Sequence, residues 1–176
     1  QRPSLFYGAT KAFGEHMGLV FKRKYGLDFR GIRYPSVIGP GVTTPSNVQY
    51  TSWMIEESIK GNPFTVWTVP ETKVPVMYIT EAATATVQLA QAPIDAIKMV
   101  NYLVDGEKPT PNAGDIADAV RAKIPNAQID FVPDPNRAML HGRSQSIDDS
   151  CAREEWGWQP THSLSRMIDE FMAAFA

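Results

Sequence analysis

Helix-forming and strand-forming segments alternate along nearly the whole of this 176-residue chain, with proline or glycine at most joints. No proline interrupts residues 7–25, and Phe6, Phe13, Met17, Val20 and Phe21 recur at roughly helical spacing. Lys22, Arg23 and Lys24 suit the C-terminal end of that helix and Gly26 its stop. Residues 27–34 read as a short strand closed by Pro35, which has no backbone donor. A loop over 39–47 leads to a short helix marked by Tyr50, Trp53, Met54 and Ile59 and ended at Gly61. Strands are expected at 64–69 and 74–79 around a turn at Pro70-Glu71-Thr72, then a helix over 81–91 stopped by Pro93. A strand at 99–104 precedes a helix capped by Thr110-Pro111, with Ile116, Ala119, Val120 and Ile124 on its buried face and Pro125 at its end. A strand at 128–132, a loop at 133–145 and helices near 149–156 and 164–175 complete an α/β pattern.

The composition, 43% hydrophobic and 20% charged, is that of a globular protein of one domain or two small ones. A formal charge of -2 leaves no basic surplus to neutralise phosphates, so nucleic acid is not an expected partner. No apolar run approaches the roughly 20 residues that span a bilayer, so a membrane is not expected either. The single cysteine, Cys151, excludes an internal disulfide framework and suits a reducing compartment, the cytoplasm by default. The chain starts at Gln1 and enters a major helix within a few residues, which is how a fragment begins.

Tyr7 and Lys11 are four residues apart, so a helix presents their phenol and ammonium on one face. A free tyrosine, with a pKa near about 10, is a poor base at neutral pH, and a fixed neighbouring cation favours its phenolate. Beside a nicotinamide ring such a pair takes the proton of a substrate hydroxyl while hydride leaves for the ring. By itself the spacing also fits an edge aromatic and a solvated charge.

The order Pro3, Tyr7, Lys11, Glu15, then Gly26-Leu27-Asp28 and Arg33-Tyr34-Pro35, resembles the extended short-chain dehydrogenase/reductase superfamily. Residues 25–35, 71–78 and 146–158 are similar to its short-chain L-threonine 3-dehydrogenase branch, and the similarity covers nearly all of the chain. The resemblance implies NAD as cofactor, Tyr7 as catalytic base, and Lys11 as the residue that holds the nicotinamide ribose and tunes the tyrosine. It also implies that Pro35 and Ser36 lie against the nicotinamide end. That branch carries Thr-Thr-Asp-Tyr in its substrate loop, where this chain has Asn47-Val48-Gln49-Tyr50; the tyrosine is kept and the aspartate suited to a substrate ammonium is not. Thr43 and Thr44 are the other substrate-side candidates, given a rearranged loop. Arg143 stands about where threonine dehydrogenases have an aromatic. With Arg137 it keeps open the nucleotide-sugar epimerases and dehydratases of the same superfamily, in which arginine grips phosphate.

The glycine-rich turn that would hold a dinucleotide's pyrophosphate is not found; Gly39 and Gly41 are the nearest candidate, with Thr44 in the third glycine position. His16, His141 and His162 are scattered and suggest no metal site. Cys151 reads as a small buried hydrophobe, Asp148 and Asp149 as cap and dipole partners of a helix start, and Trp156 and Trp158 as packing residues. The expected organisation is the C-terminal part of a Rossmann-type parallel sheet over 1–40, with a small α/β substrate-binding domain mainly over 41–176 that returns segments to the sheet. The expected activity is NAD-dependent oxidation of a secondary alcohol in a threonine-like small molecule. The alternatives are a nucleotide-sugar epimerase or dehydratase, or an incomplete fragment that serves as a partner-binding module. The expected protein partner is a second copy, through Phe13, Met17 and Phe21, or a separate N-terminal half.

Overall fold

Proline and glycine set most of the boundaries in the computed structural model of the chain, which describes residues 3, 5–137 and 146–175. In chain order the elements are α1 (Phe6–Tyr25), β1 (Gly31–Arg33), β2 (Ser36–Ile38), α2 (Tyr50–Ile59), β3 (Phe64–Val66), β4 (Val76–Tyr78), α3 (Ile79–Gln91), a 3-10 turn (Ile94–Ala96), β5 (Asn101–Leu103), α4 (Ala113–Lys123), β6 (Ile129–Phe131), α5 (Ser150–Trp156) and α6 (Leu164–Ala173). The strands are shorter than the sequence pattern suggests, and each pairs in parallel: β1 with β5, β2 with β4, β3 with β6. Parallel strands joined through helices make this an α/β chain. The chain divides into two compact units, the described residues of 1–33, 84–104 and 149–159, and those of 34–83, 105–148 and 160–176.

In the first unit, α1 ends as its sequence demands. Gly26 sits at φ 68 in the left-handed region, and its N–H donates to the Lys22 carbonyl at 3.1 Å. Gly18 is the one position of α1 that is buried, because the Phe29 ring lies across it; a Cβ there would meet a ring carbon at 2.4 Å. Register Gly31↔Asn101 to Arg33↔Leu103 pairs β1 with β5. The Arg30 guanidinium donates to the carbonyls of Leu89 (2.5 Å) and Ala92 (2.7 Å), satisfying acceptors at the end of α3, and is held by Asp28 at 2.9 Å. Trp158 is buried and Trp156 half-buried, with ring centroids 5.9 Å apart, in keeping with their reading as packing residues. Two readings are corrected here. Cys151 is exposed, because it lies on the outer face of a two-turn helix. Asp149 starts α5 without a side-chain cap bond, because its carboxylate pairs with Arg153 at 2.9 Å.

In the second unit, α2, α4 and α6 pack on one another, and α2 packs on β2 and β3. Met54, Ile55, Val66, Val76, Ile116, Val120, Met167, Ile168 and Phe171 are sealed between them. Each side chain of that size contributes about 1.5–3 kcal/mol when taken from water. Asn112 rather than Thr110 caps α4. Its side chain accepts from the Asp115 N–H and the Asp115 carboxylate accepts from the Asn112 N–H, both at 2.8 Å, which closes a capping box and starts the helix after Pro111. The two strands expected around Pro70-Glu71-Thr72 do not form a hairpin. The backbone there bonds instead to the segment before α4, through Val74 N–H to the Pro111 carbonyl and Ala113 N–H to the Thr72 carbonyl, both at 2.9 Å.

Candidate functional site

Tyr7 and Lys11 occupy successive turns at the start of α1, and the Lys11 ammonium lies over the Tyr7 ring, 5.3 Å from its centroid. Tyr7 is 70% exposed, so the phenol is open to a ligand. One turn further on, Glu15 continues the same face and makes a two-pronged ion pair with Arg33 of β1, which raises the affinity of the guanidinium for its proton. A cleft of about 350 Å³ beside this pair is lined by Ala12, Glu15, His16, Arg33, Met99 and Asn101. Nothing in the sequence marked that cleft, because its walls meet only when β1 and β5 pair. Phe13, Met17 and Phe21 on the same helix are exposed and form no part of the described core.

The remaining candidates belong to the second unit. Pro35 is half-buried, and the Ser36 N–H donates to the Pro75 carbonyl at 2.9 Å. Ser36 Oγ lies 3.0 Å from Thr51 Oγ1, which itself donates to the Val48 carbonyl at 2.9 Å. A carbonyl only accepts, so the Thr51 hydrogen is committed there; Ser36 must donate to Thr51 and keeps only acceptor capacity for anything else. Thr51 was not legible as a site residue. The available signal was its place two residues into the helix, opposite the strand that carries Ser36.

The loop between Gly39 and Gln49 is clamped by α2. Gly39 N–H donates to Ser52 Oγ (3.2 Å), Gly41 N–H to the Glu56 carboxylate (3.1 Å), and the Trp53 indole to the Val42 carbonyl (2.7 Å). The Trp67 indole holds the Asn47 carbonyl at 2.9 Å, and Arg137 stacks over that indole 4.4 Å from its centroid. With both glycine amides taken, one of them by a carboxylate, Gly39 and Gly41 offer a pyrophosphate no free amide. Thr43 and Thr44 are exposed, Asn47 is half-buried, and Gln49 and Tyr50 are buried at the head of α2. Burial pushes the Tyr50 phenol up, so it stays neutral. Arg143 lies outside the described residues. Among the described residues, no helix is long and apolar enough to cross a membrane. No group of three or more His, Cys, Asp or Glu among them could hold a metal ion.

A family model described as the NAD dependent epimerase/dehydratase family matches residues 2–103. The chain is 33% identical over 173 residues to the mitochondrial L-threonine 3-dehydrogenase of Bos taurus, covering 96% of this chain and 45% of that protein. It thus spans less than half the length of this curated relative. Among solved structures it is similar to a GalE-like L-threonine dehydrogenase from Cupriavidus necator, with TM-score 0.92 and 30% identity over 100% of this chain and 64% of that one. A UDP-glucose 4-epimerase from Thermotoga maritima shares the fold, with TM-score 0.80 and 18% identity over 96% of this chain and 52% of that one.

Proposed function

From the premise that the chain belongs to the NAD dependent epimerase/dehydratase family, we propose that it carries the proton-transfer part of an NAD-dependent oxidoreductase acting on a secondary alcohol. The observation that carries this reading is the Lys11 ammonium over the open face of the Tyr7 ring at 5.3 Å. The donors fit the nicotinamide-ribose end of a dinucleotide: an ammonium with three N–H donors and a phenol, one helical turn apart and both exposed. The glycine-rich turn that would hold the pyrophosphate is not part of this sequence.

A bound nicotinamide supplies the hydride acceptor. Lys11 would hold ribose hydroxyls, and the Tyr7 oxygen would take the proton of the substrate hydroxyl as the carbinol C–H bond gives up its electron pair. The carbinol carbon becomes a carbonyl, so one hydride and one proton leave the substrate. Ser36, restricted to accepting, orients a donor at the nicotinamide end beside Pro35. Thr43, Thr44, Asn47 and Gln49 are the substrate-side candidates by resemblance, and a small hydroxylated molecule related to threonine is the class suggested by the relatives.

The test is NADH formation by the full-length protein with a panel of secondary alcohols. Tyr7→Phe is expected to abolish it, and an undiminished rate in that variant would sink the reading. Sugar-nucleotide epimerisation or dehydration is the second reading, favoured by the family model's own description; it predicts product without net NADH.

A further inference from the structure

Gln49 stands immediately before α2, is 8% exposed, and its Nε2 finds no hydrogen-bond acceptor among the described residues. A buried N–H left unpaired is costly, and an oxygen atom of a ligand would relieve that cost. The sequence on either side of it points the same way. From Phe29 to Ile55 the sequence contains no aspartate or glutamate. The first carboxylate after that stretch, Glu56, is already engaged, with Oε2 accepting from the Gly41 N–H at 3.1 Å and Oε1 from Lys60 Nζ at 2.7 Å. Ser36 Oγ is a neutral acceptor and does not compensate a full positive charge. The N-terminal end of α2, ten residues long, presents the positive pole of its dipole here, which repels an ammonium and attracts oxygen. A threonine-like amino alcohol would leave its ammonium without a counter-charge from this part of the site, an expensive arrangement away from water.

We infer that Gln49 is a specificity-determining residue that donates from Nε2 to a hydroxyl, carbonyl or carboxylate oxygen of the substrate, and that the substrate at this position carries oxygen where threonine carries its ammonium. The inference rests on the reading that the head of α2 faces the substrate. It separates this chain from relatives named for threonine by one side chain's chemistry.

The experiment compares two ligands on one skeleton: L-threonine, and 2,3-dihydroxybutanoate, in which a hydroxyl replaces the ammonium. Titration calorimetry on the full-length protein should show the dihydroxy acid binding about tenfold tighter, the equivalent of one hydrogen bond to a buried donor. Gln49→Glu keeps the shape and replaces the donor by a carboxylate, and should reverse the preference. Gln49→Met removes the donor without adding charge and should weaken only the dihydroxy acid, so the inference stays testable if the glutamate variant fails to fold. Equal or tighter binding of threonine by the unaltered protein, a ratio unmoved by both substitutions, or no binding of either ligand would each overturn it. NADH formation is followed in parallel. Absence of turnover with Gln49-dependent discrimination intact would sink the oxidoreductase reading and leave this inference standing.

Discussion

Glu15 grips Arg33 with both carboxylate oxygens, tying the helix that carries Tyr7 and Lys11 to the strand that follows it. The pair is part-buried and forked, which sets it above an ordinary surface ion pair. Glu15→Gln is therefore expected to lower stability by about 1 kcal/mol, read from denaturant midpoints, with a smaller effect in high salt. A shift within error would show that packing alone holds α1 in place.

Replacing Lys11 by glutamine removes the cation over Tyr7 while keeping much of the stem. The rate of NADH formation should fall about 100-fold or more, with the thermal midpoint little changed because Lys11 is exposed. Retained activity would transfer the proton chemistry to another residue.

Gly18→Ala places a methyl group 2.4 Å from a Phe29 ring carbon. The ring must shift, and the expected loss is about 1–3 kcal/mol. The double variant Gly18→Ala, Phe29→Leu should recover part of it, and strict additivity of the two losses would argue against direct contact.

Trp53→Phe deletes the indole N–H that holds the Val42 carbonyl and retains most of the ring area. Amide exchange over residues 41–48 should quicken while the α4 and α6 core stays protected, at a cost of about 1 kcal/mol. Uniform quickening across the unit would show that the bond supports the core rather than the loop.

The Tyr102 hydroxyl is pushed up to about 12, first by burial and then by its bond to the Glu155 carboxylate. Burial opposes the charge of Glu155, but Tyr102 and the Lys98 and Met99 amides outweigh it and hold that carboxyl below its ordinary range. A depressed carboxyl stabilises the fold above its unfolded value, about 4.3, and loses that contribution as pH falls through its folded value. The raised tyrosine acts at the other end: its contribution is complete below about 10 and fades as pH rises towards about 12. Glu155→Gln should flatten the acid limb of a stability-against-pH curve and reduce the loss at the alkaline end. Curves that superimpose on the unaltered protein at both ends would dismiss the pair as a source of pH dependence.

The proline-free run before Gly26 and the spacing of Tyr7 and Lys11 were legible because both are local. One turn of helix suffices to bring positions i and i+4 together, and a glycine after a basic triplet ends the helix through its own backbone. Most strand positions were legible for the same reason, although their ends were drawn too long and β2, just beyond Pro35, was not expected. Pairing was not, since β3 and β6 lie more than sixty residues apart in sequence and nothing in either short apolar run names its partner.

Residue types and their periodicity thus determined the α/β pattern, the face of α1 that carries Tyr7 and Lys11 and the uncharged character of the stretch leading into α2. The tertiary structure alone decided which hydrogens remain available. That Ser36 accepts rather than donates depends on where the Thr51 hydroxyl sends its own hydrogen. That Gly39 and Gly41 cannot cradle a phosphate depends on α2 folding back to claim their amides. That Gln49 holds an unspent donor depends on what its burial leaves beside it. Hydrogen-bond capacity is a property of each side chain, but its satisfaction depends on neighbours that only the folded chain supplies.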